Sequence, residues 1–239
     1  MLPAILLVGG LGTRLRALYP DRPKALVPVR GRPFLEWMIG WLLAQGVTRI
    51  HLAAGYRAQQ ILDWAASRLG DGLSVSCEET PLGTGGGLRF ALDHVPGDEI
   101  LALNGDSFLP ALELAAWLRE PLSPDLDGEI AITRIDAPGR YGTVEFDPAT
   151  RRILAFLEKA DRPAGWVNGG VYRLRRAALE ARPAGVPFSM ETDFFPTLSA
   201  AGRLRARPVD PPLLDMGTPD GLQTLERWMA AHPERFHAR

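Results

Sequence analysis

With 239 residues, 27 basic against 28 acidic side chains and 46% hydrophobic content, the chain is nearly neutral and long enough to bury a sizeable core. The charge balance excludes a polybasic nucleic-acid arm, and a single cysteine, Cys77, excludes a disulfide framework or a cysteine-rich zinc site. The apolar opening, residues 3–8, is too short to span a membrane and lacks the basic flank of a secretion signal, so a cytoplasmic protein with no membrane or nucleic-acid partner is expected. Lysine is nearly absent: only Lys24 and Lys159 stand among the 27 basic residues, and the rest are arginine.

Apolar runs of strand length alternate with stretches of helical pattern. Residues 3–8 read as a buried strand that runs into glycines. A helix follows over 33–45, with Pro33 at its start and Gly46 as its stop. Then come a strand at 49–54, a helix near 57–68, a strand near 73–77, a helix near 84–94 and a strand at 99–104. This alternation predicts an α/β fold, a Rossmann-like, mixed but mainly parallel sheet flanked by helices. Beyond it, pieces at 129–135, 142–146 and 152–157 are joined by short turns and read as antiparallel strands. A strand near 167–174, a helix near 191–201, strands near 203–209 and 212–215 and a helix at 219–231 complete the chain. A single domain over 1–239 is the simplest organisation, with a nucleotide-type half at 1–110 and a smaller, antiparallel half at 111–239.

In open parallel sheets, ligands gather at the carboxyl ends of the strands. The first such loop is Gly9-Gly10-Leu11-Gly12-Thr13-Arg14. Its glycines let backbone N–H groups approach a phosphate, and Thr13 and Arg14 add a hydroxyl and a forked cation. No Gly-Lys-Ser/Thr completes a P-loop. Leu15 stands where a dinucleotide fingerprint needs its third glycine, and Ala53-Ala54-Gly55 offers no acid for a ribose. A second glycine-rich loop, Glu78-Glu79-Thr80-Pro81-Leu82-Gly83-Thr84-Gly85, follows a strand and enters a helix. Asp106, in Leu103-Asn104-Gly105-Asp106-Ser107-Phe108, ends an apolar strand, where a cap and a ligand are both open readings. The histidines have no metal-ligand spacing, and Cys77 on a strand reads as core.

The first loop followed by Pro23-Lys24-Ala25-Leu26-Val27-Pro28-Val29 resembles the two-part signature of the sugar-phosphate nucleotidylyltransferases, the nucleotide-sugar pyrophosphorylases. The resemblance implies that Gly9, Gly10, Gly12 and Thr13 wrap a nucleoside triphosphate and that Arg14 and Lys24 act on its phosphates. It makes Glu79, Gly83 and Thr84 candidates for reading the base. It also implies that Asp106, with Asp215 in Asp215-Met216-Gly217-Thr218-Pro219, binds Mg2+. The sugar 1-phosphate would meet Gly142 in Arg140-Tyr141-Gly142-Thr143-Val144, Glu158 and Lys159 in Phe156-Leu157-Glu158-Lys159, Asn168 and Gly169 in Asn168-Gly169-Gly170-Val171-Tyr172, and Glu191. Taken alone, a Glu-Lys dipeptide is more often a solvated surface pair.

Within the family, the set of motifs most resembles the guanylyltransferases of D-glycero-D-manno-heptose 1-phosphate, which implies GTP as donor. A mannose 1-phosphate guanylyltransferase and a uridylyl- or thymidylyltransferase for another hexose phosphate stay open, as does an inactive module that senses sugar nucleotides. A homodimer is also left open. The chemistry implied is direct in-line displacement. A sugar phosphate is already ionised at neutral pH, its second pKa being about 6, so it requires alignment and charge neutralisation rather than a base.

Overall fold

The computed structural model describes residues 1–68, 72–139, 141–157 and 163–233. Its first part runs β1 (Ala4–Leu7), a hairpin of β2 (Pro28–Val29) and β3 (Arg32–Pro33), α1 (Phe34–Ala44), β4 (Ile50–Ala54), α2 (Ala58–Ala66), β5 (Leu73–Cys77), α3 (Gly83–Ala91) and β6 (Glu99–Asn104). Then follow β7 (Ser107–Phe108), α4 (Leu114–Trp117), β8 (Gly128–Asp136), β9 (Thr143–Phe146), β10 (Ile153–Leu157), β11 (Ala164–Arg175) and α5 (Arg176–Glu180). After a wide helical turn at Met190–Phe194, α6 (Phe195–Ala200), β12 (Leu204–Val209), β13 (Leu214–Asp215) and α7 (Pro219–Ala231) close the described chain. No helix among the described residues is long and apolar enough to cross a membrane.

One nine-stranded sheet runs through both halves in the order β10-β9-β11-β6-β1-β4-β5, with β8 and β12 continuing from β11. β1, β4, β5 and β6 are parallel, and β11 joins β6 antiparallel. The expected α/β architecture with a mainly parallel sheet is therefore the one observed. Strand periodicity explains the apolar run at the start: Ala4 and Leu6 face a core with α1, α2 and α7, while Ile5 faces the opposite core with α3 and α6. A strand buried on both faces has no polar side to show.

The structure differs from the periodicity reading at several joints. The strands at 128–136 and 143–146 do not pair with each other; both flank β11. β11 shifts register between Asn168 and Tyr172, and Gly170 sits there at φ 75°. Asn168-Gly169-Gly170 is thus a bulge that turns one long strand from β9 towards β6, a device common beside active sites. The helix near 191–201 divides into the wide turn and α6, and the helix near 84–94 ends at Ala91 before a 3₁₀ turn.

Charge stitches the two halves together. Arg173 of β11 donates through Nε to Glu99 of β6 at 2.9 Å and lies 3.7 Å from Glu129 of β8. Glu129 also accepts from Arg205 of β12 at 2.7 Å and from the Trp117 indole at 2.8 Å. Glu129 is 2% exposed and Arg173 4%, so each charge depends on its partners for solvation. Glu129→Ala, which removes the acid that Arg205 bonds and that Arg173 faces beside Glu99, should lower the unfolding free energy by about 3 kcal/mol in urea titration.

Candidate active site

A cavity of about 430 Å³ opens at the carboxyl ends of β1, β4, β5 and β6, where side chains from four consecutive βα junctions converge. The loop after β1 forms one wall. The Gly9 carbonyl accepts the Tyr56 N–H at 3.1 Å, which draws the loop against the end of β4. Gly12 adopts φ 57°, a left-handed conformation that suits glycine, and its carbonyl accepts from Leu15 and Arg16 at 3.0 and 3.1 Å. Leu15, 2% exposed, anchors this turn in the core. Gly9 and Gly10 line the cavity; Gly12, Thr13 and Arg14 lie outside its lining, the last two exposed on the turn.

Lys24 enters from a 3₁₀ turn whose next residues, Ala25 and Leu26, are buried and hold it in place. Its Nζ donates to Asp106 Oδ2 at 2.6 Å, and Ser107 Oγ donates to Asp106 Oδ1 at 2.9 Å. β13 pairs antiparallel with β7, which sets Asp215 opposite Ser107, and the Met216 N–H donates to the Asp106 carbonyl at 3.1 Å. Asp215 accepts from the Tyr141 hydroxyl at 2.9 Å and from the Gly217 N–H at 2.5 Å. Two aspartates distant in sequence thus meet beside one lysine. No cluster of three or more His, Cys, Asp and Glu occurs among the described residues. Asp106 lines the cavity and Asp215 lies outside its lining; their carboxylates are hard oxygen donors of the kind that fits Mg2+, an ion that keeps waters and shares phosphate oxygens.

On the opposite wall the two neighbouring acids are placed differently. Glu79 is exposed and outside the lining, whereas Glu78, one residue earlier, lines the cavity. Side chains alternate along β5 and its extension, so Ser76 and Glu78 face inward and the residues between them turn away. A Cβ on Gly55 would overlap Glu78 Oε1, so that glycine makes room for the carboxylate. Burial pushes the Glu78 pKa up against the lowering effect of the Leu82 N–H, which it accepts at 3.2 Å. Gly83 and Thr84 line the cavity at the start of α3.

Thr84 Oγ1 donates to Glu191 Oε2 at 2.9 Å and accepts the Met190 N–H at 2.9 Å. The Phe188 carbonyl accepts from Gly85 and Gly86, and Ser189 caps the wide turn by accepting the Glu191 and Thr192 N–H groups. These bonds bring Glu191 into the cavity lining. Asn168 donates to the Tyr172 hydroxyl at 3.0 Å, which reaches Asn104 Oδ1 in the cavity wall at 3.3 Å. Burial raises the Tyr172 pKa far above its ordinary range, so the hydroxyl stays a donor. Gly169 is buried against Leu109, and Gly142 is exposed next to Tyr141. Glu158 and Lys159 lie outside the described residues.

One feature of the site escaped the sequence reading. His51, 2% exposed on β4, has Nδ1 2.8 Å from Ser74 Oγ and Nε2 2.8 Å from Ser76 Oγ, and its ring stacks on His94 at 5.3 Å. Isolated histidines carried no spacing signal. The alternation Ser74, Ser76, Glu78 marks a polar strand face that only β4 could partner.

The fold and this cleft are those of a nucleotidyl transferase, and the chain belongs to that family, whose model matches residues 3–230. It is 32% identical over 227 residues to a D-glycero-alpha-D-manno-heptose 1-phosphate guanylyltransferase of Aneurinibacillus thermoaerophilus, covering 94% of this chain and 96% of that one. It is 34% identical over 243 residues to a mannose-1-phosphate guanylyltransferase of Mycobacterium tuberculosis, covering 96% of this chain and 66% of the relative. The crystal structure of HddC from Yersinia pseudotuberculosis complexed with GMP-PN matches with a TM-score of 0.84 and 30% identity over 96% of this chain and 100% of that chain.

Burial, with a smaller push from His94, lowers the His51 pKa to about 4 from its ordinary 6.5. As pH falls below 6.5 the unfolded chain takes up this proton first, and the folded protein follows only near 4. Stability should therefore decline through that window, with His51 contributing on the order of 2 kcal/mol. Urea unfolding at pH 7 and pH 4.5 should show a smaller pH-dependent loss in His51→Phe than in the wild type. Equal losses would remove His51 as a source of acid sensitivity.

Proposed function

We propose that the chain transfers a guanylyl unit from GTP to a sugar 1-phosphate, with D-glycero-D-manno-heptose 1-phosphate as the preferred acceptor and mannose 1-phosphate as the second reading, and releases pyrophosphate. The carrying observation is the Lys24–Asp106 pair in the wall of a glycine-lined cavity, with Asp215 brought opposite Ser107, the residue after Asp106. The family and the guanylyltransferase relatives support the donor and the acceptors. The 34% identity to the mannose enzyme keeps the second reading.

The acceptor's phosphate oxygen attacks the α-phosphorus in line. One P–O bond forms, and the P–O bond to the leaving pyrophosphate breaks. Because the acceptor is ionised above about pH 6, no residue need remove a proton. Backbone N–H groups of Gly9 and Gly10, which line the cavity, would donate to phosphate oxygens, and Arg14, on the exposed turn after Gly12 and Thr13, would reach the triphosphate from outside the lining. Lys24 neutralises charge that would otherwise repel the second anion. Asp106 and Asp215 would hold Mg2+, which when bound offsets charge on the triphosphate and the departing pyrophosphate. Glu78, Gly83 and Thr84 face the base. Lys159 takes the sugar phosphate, and Glu158, Gly142, Asn168, Gly169 and Glu191 surround the sugar.

Pyrophosphate release should be measured for four nucleoside triphosphates against several sugar 1-phosphates, with and without Mg2+. GTP with heptose 1-phosphate should turn over fastest, and chelation should abolish turnover until Mg2+ is restored. Preference for UTP or dTTP would overturn the guanylyl reading, and no turnover with any pair would leave a sensing module in its place. Asp106→Asn and Asp215→Asn should each lower kcat by about 100-fold or more, the scale of losing a charge aligned with the transition state. Lys24→Arg and Lys159→Arg should fold normally yet lose most activity, because a planar guanidinium does not replace a compact ammonium at a crowded phosphate. Near-normal turnover in both variants would remove the requirement for lysine.

A further inference from the structure

Ser74, Ser76 and Glu78 follow one another on a single face of β5 and its extension. Ser76 and Glu78 line the nucleotide cavity, while Ser74 is exposed at a second cavity of about 220 Å³ towards the amino ends of the strands. His51 stands between them on β4, in register with Ser74, with one ring nitrogen 2.8 Å from each serine hydroxyl. A neutral imidazole has one N–H and one bare nitrogen. It can therefore donate to only one of the two serines and must accept from the other. The tautomer decides whether Ser76 turns a hydroxyl hydrogen or its lone pairs towards the cavity.

The pairing edge of guanine carries two donors, N1–H and the 2-amino group, beside one acceptor, O6. Glu78 can accept both donors. O6 then needs a donor; the Thr84 hydroxyl hydrogen goes to Glu191, Lys24 is held on Asp106, and the Asn104 amide lies on β6 with β1 and β4 between it and β5. Ser76 is two residues from Glu78 on the same face. We infer that His51 is a positioning residue for base recognition: its Nε2–H donates to Ser76 Oγ, which frees the Ser76 hydroxyl hydrogen to donate to O6 of guanine while Glu78 accepts from N1–H and the 2-amino group. Ser74, open to solvent, donates its own hydroxyl hydrogen to Nδ1. The low pKa of the buried ring, about 4, keeps it neutral under working conditions. A uracil or thymine edge has one donor between two acceptors and sets a carbonyl oxygen against the Glu78 carboxylate, so the same wall discriminates against it. The inference rests on the guanylyl reading above.

The test is steady-state kinetics at fixed sugar 1-phosphate with GTP and with 6-thioguanosine 5′-triphosphate, in which a poorly accepting sulfur replaces O6. Ser76→Ala and His51→Phe should each raise KM for GTP by about 5-fold, the usual worth of one hydrogen bond, with kcat within about twofold. KM for the thio analogue should move much less. In the wild type, nitrogen-15 correlation spectra should show the His51 ring protonated at Nε2 and bare at Nδ1. Equal losses on both nucleotides, no loss on GTP, or a ring protonated at Nδ1 would overturn the relay while a GTP preference in the wild type preserved the guanylyl reading. A wild type that prefers another nucleotide would overturn both. If His51→Phe fails to fold, Ser76→Ala and the wild-type spectrum decide the matter.

Discussion

β7 and β13 are two residues long each, yet their antiparallel pairing holds the cleft together. It places Asp215 opposite Ser107, the residue after Asp106, and the Met216 N–H on the Asp106 carbonyl adds a further backbone tie. Two carboxylates brought towards one another by this pairing would repel unless their charge were answered. Lys24 at 2.6 Å from Asp106 answers that charge in this structure, and Tyr141 and the Gly217 N–H do so for Asp215. The residues to which the proposed reaction assigns phosphate and metal are thus the ones that satisfy each other beforehand. That preorganises the site at the cost of contacts that must be exchanged when substrates arrive.

The surrounding architecture protects this pairing from both sides. The chain from Glu99 through Arg173 and Glu129 to Arg205 crosses β6, β11, β8 and β12, so the antiparallel strands cannot slide on the parallel ones without exposing a buried charge. α7 begins immediately after β13, with Thr218 capping it through the Gly221 N–H and Pro219 in its first turn. Its buried residues Leu222, Leu225 and Met229 dock it on the same core as α1. Hydrophobic burial far from the cleft therefore sets where Asp215 can stand.

On the far wall, positions are fixed by hydrogen bonds between distant segments. Thr84 and the Phe188 carbonyl bind the segment before α6 onto the amino end of α3, which carries Glu191 into the cavity. The bulge at Asn168-Gly169-Gly170 connects the bend of β11 to the cavity through Tyr172 and Asn104. Both devices turn backbone irregularity into side-chain placement: a wide turn and a bulge each aim a polar group that regular structure would direct elsewhere.

The alternation of apolar strands and amphipathic helices, the glycine-rich loop and the strand-ending Asp106 could all be read from the chain, because each depends on local periodicity or on backbone freedom at glycine. Local pattern could not tell Glu78 from Glu79, since that choice turns on the parity of β5 against a neighbour and on the space left at Gly55. It was silent on His51, whose partners lie on another strand, and on the placement of β11 between β8 and β9, whereas β9 and β10 pair antiparallel across their short turn. Composition and local motif determined the fold class, the glycine-rich first loop and the short list of charged residues available for chemistry. Tertiary structure alone decided which carboxylates meet, which acid faces the cavity and which hydroxyls are held, because those depend on register and on packing between segments far apart in the chain.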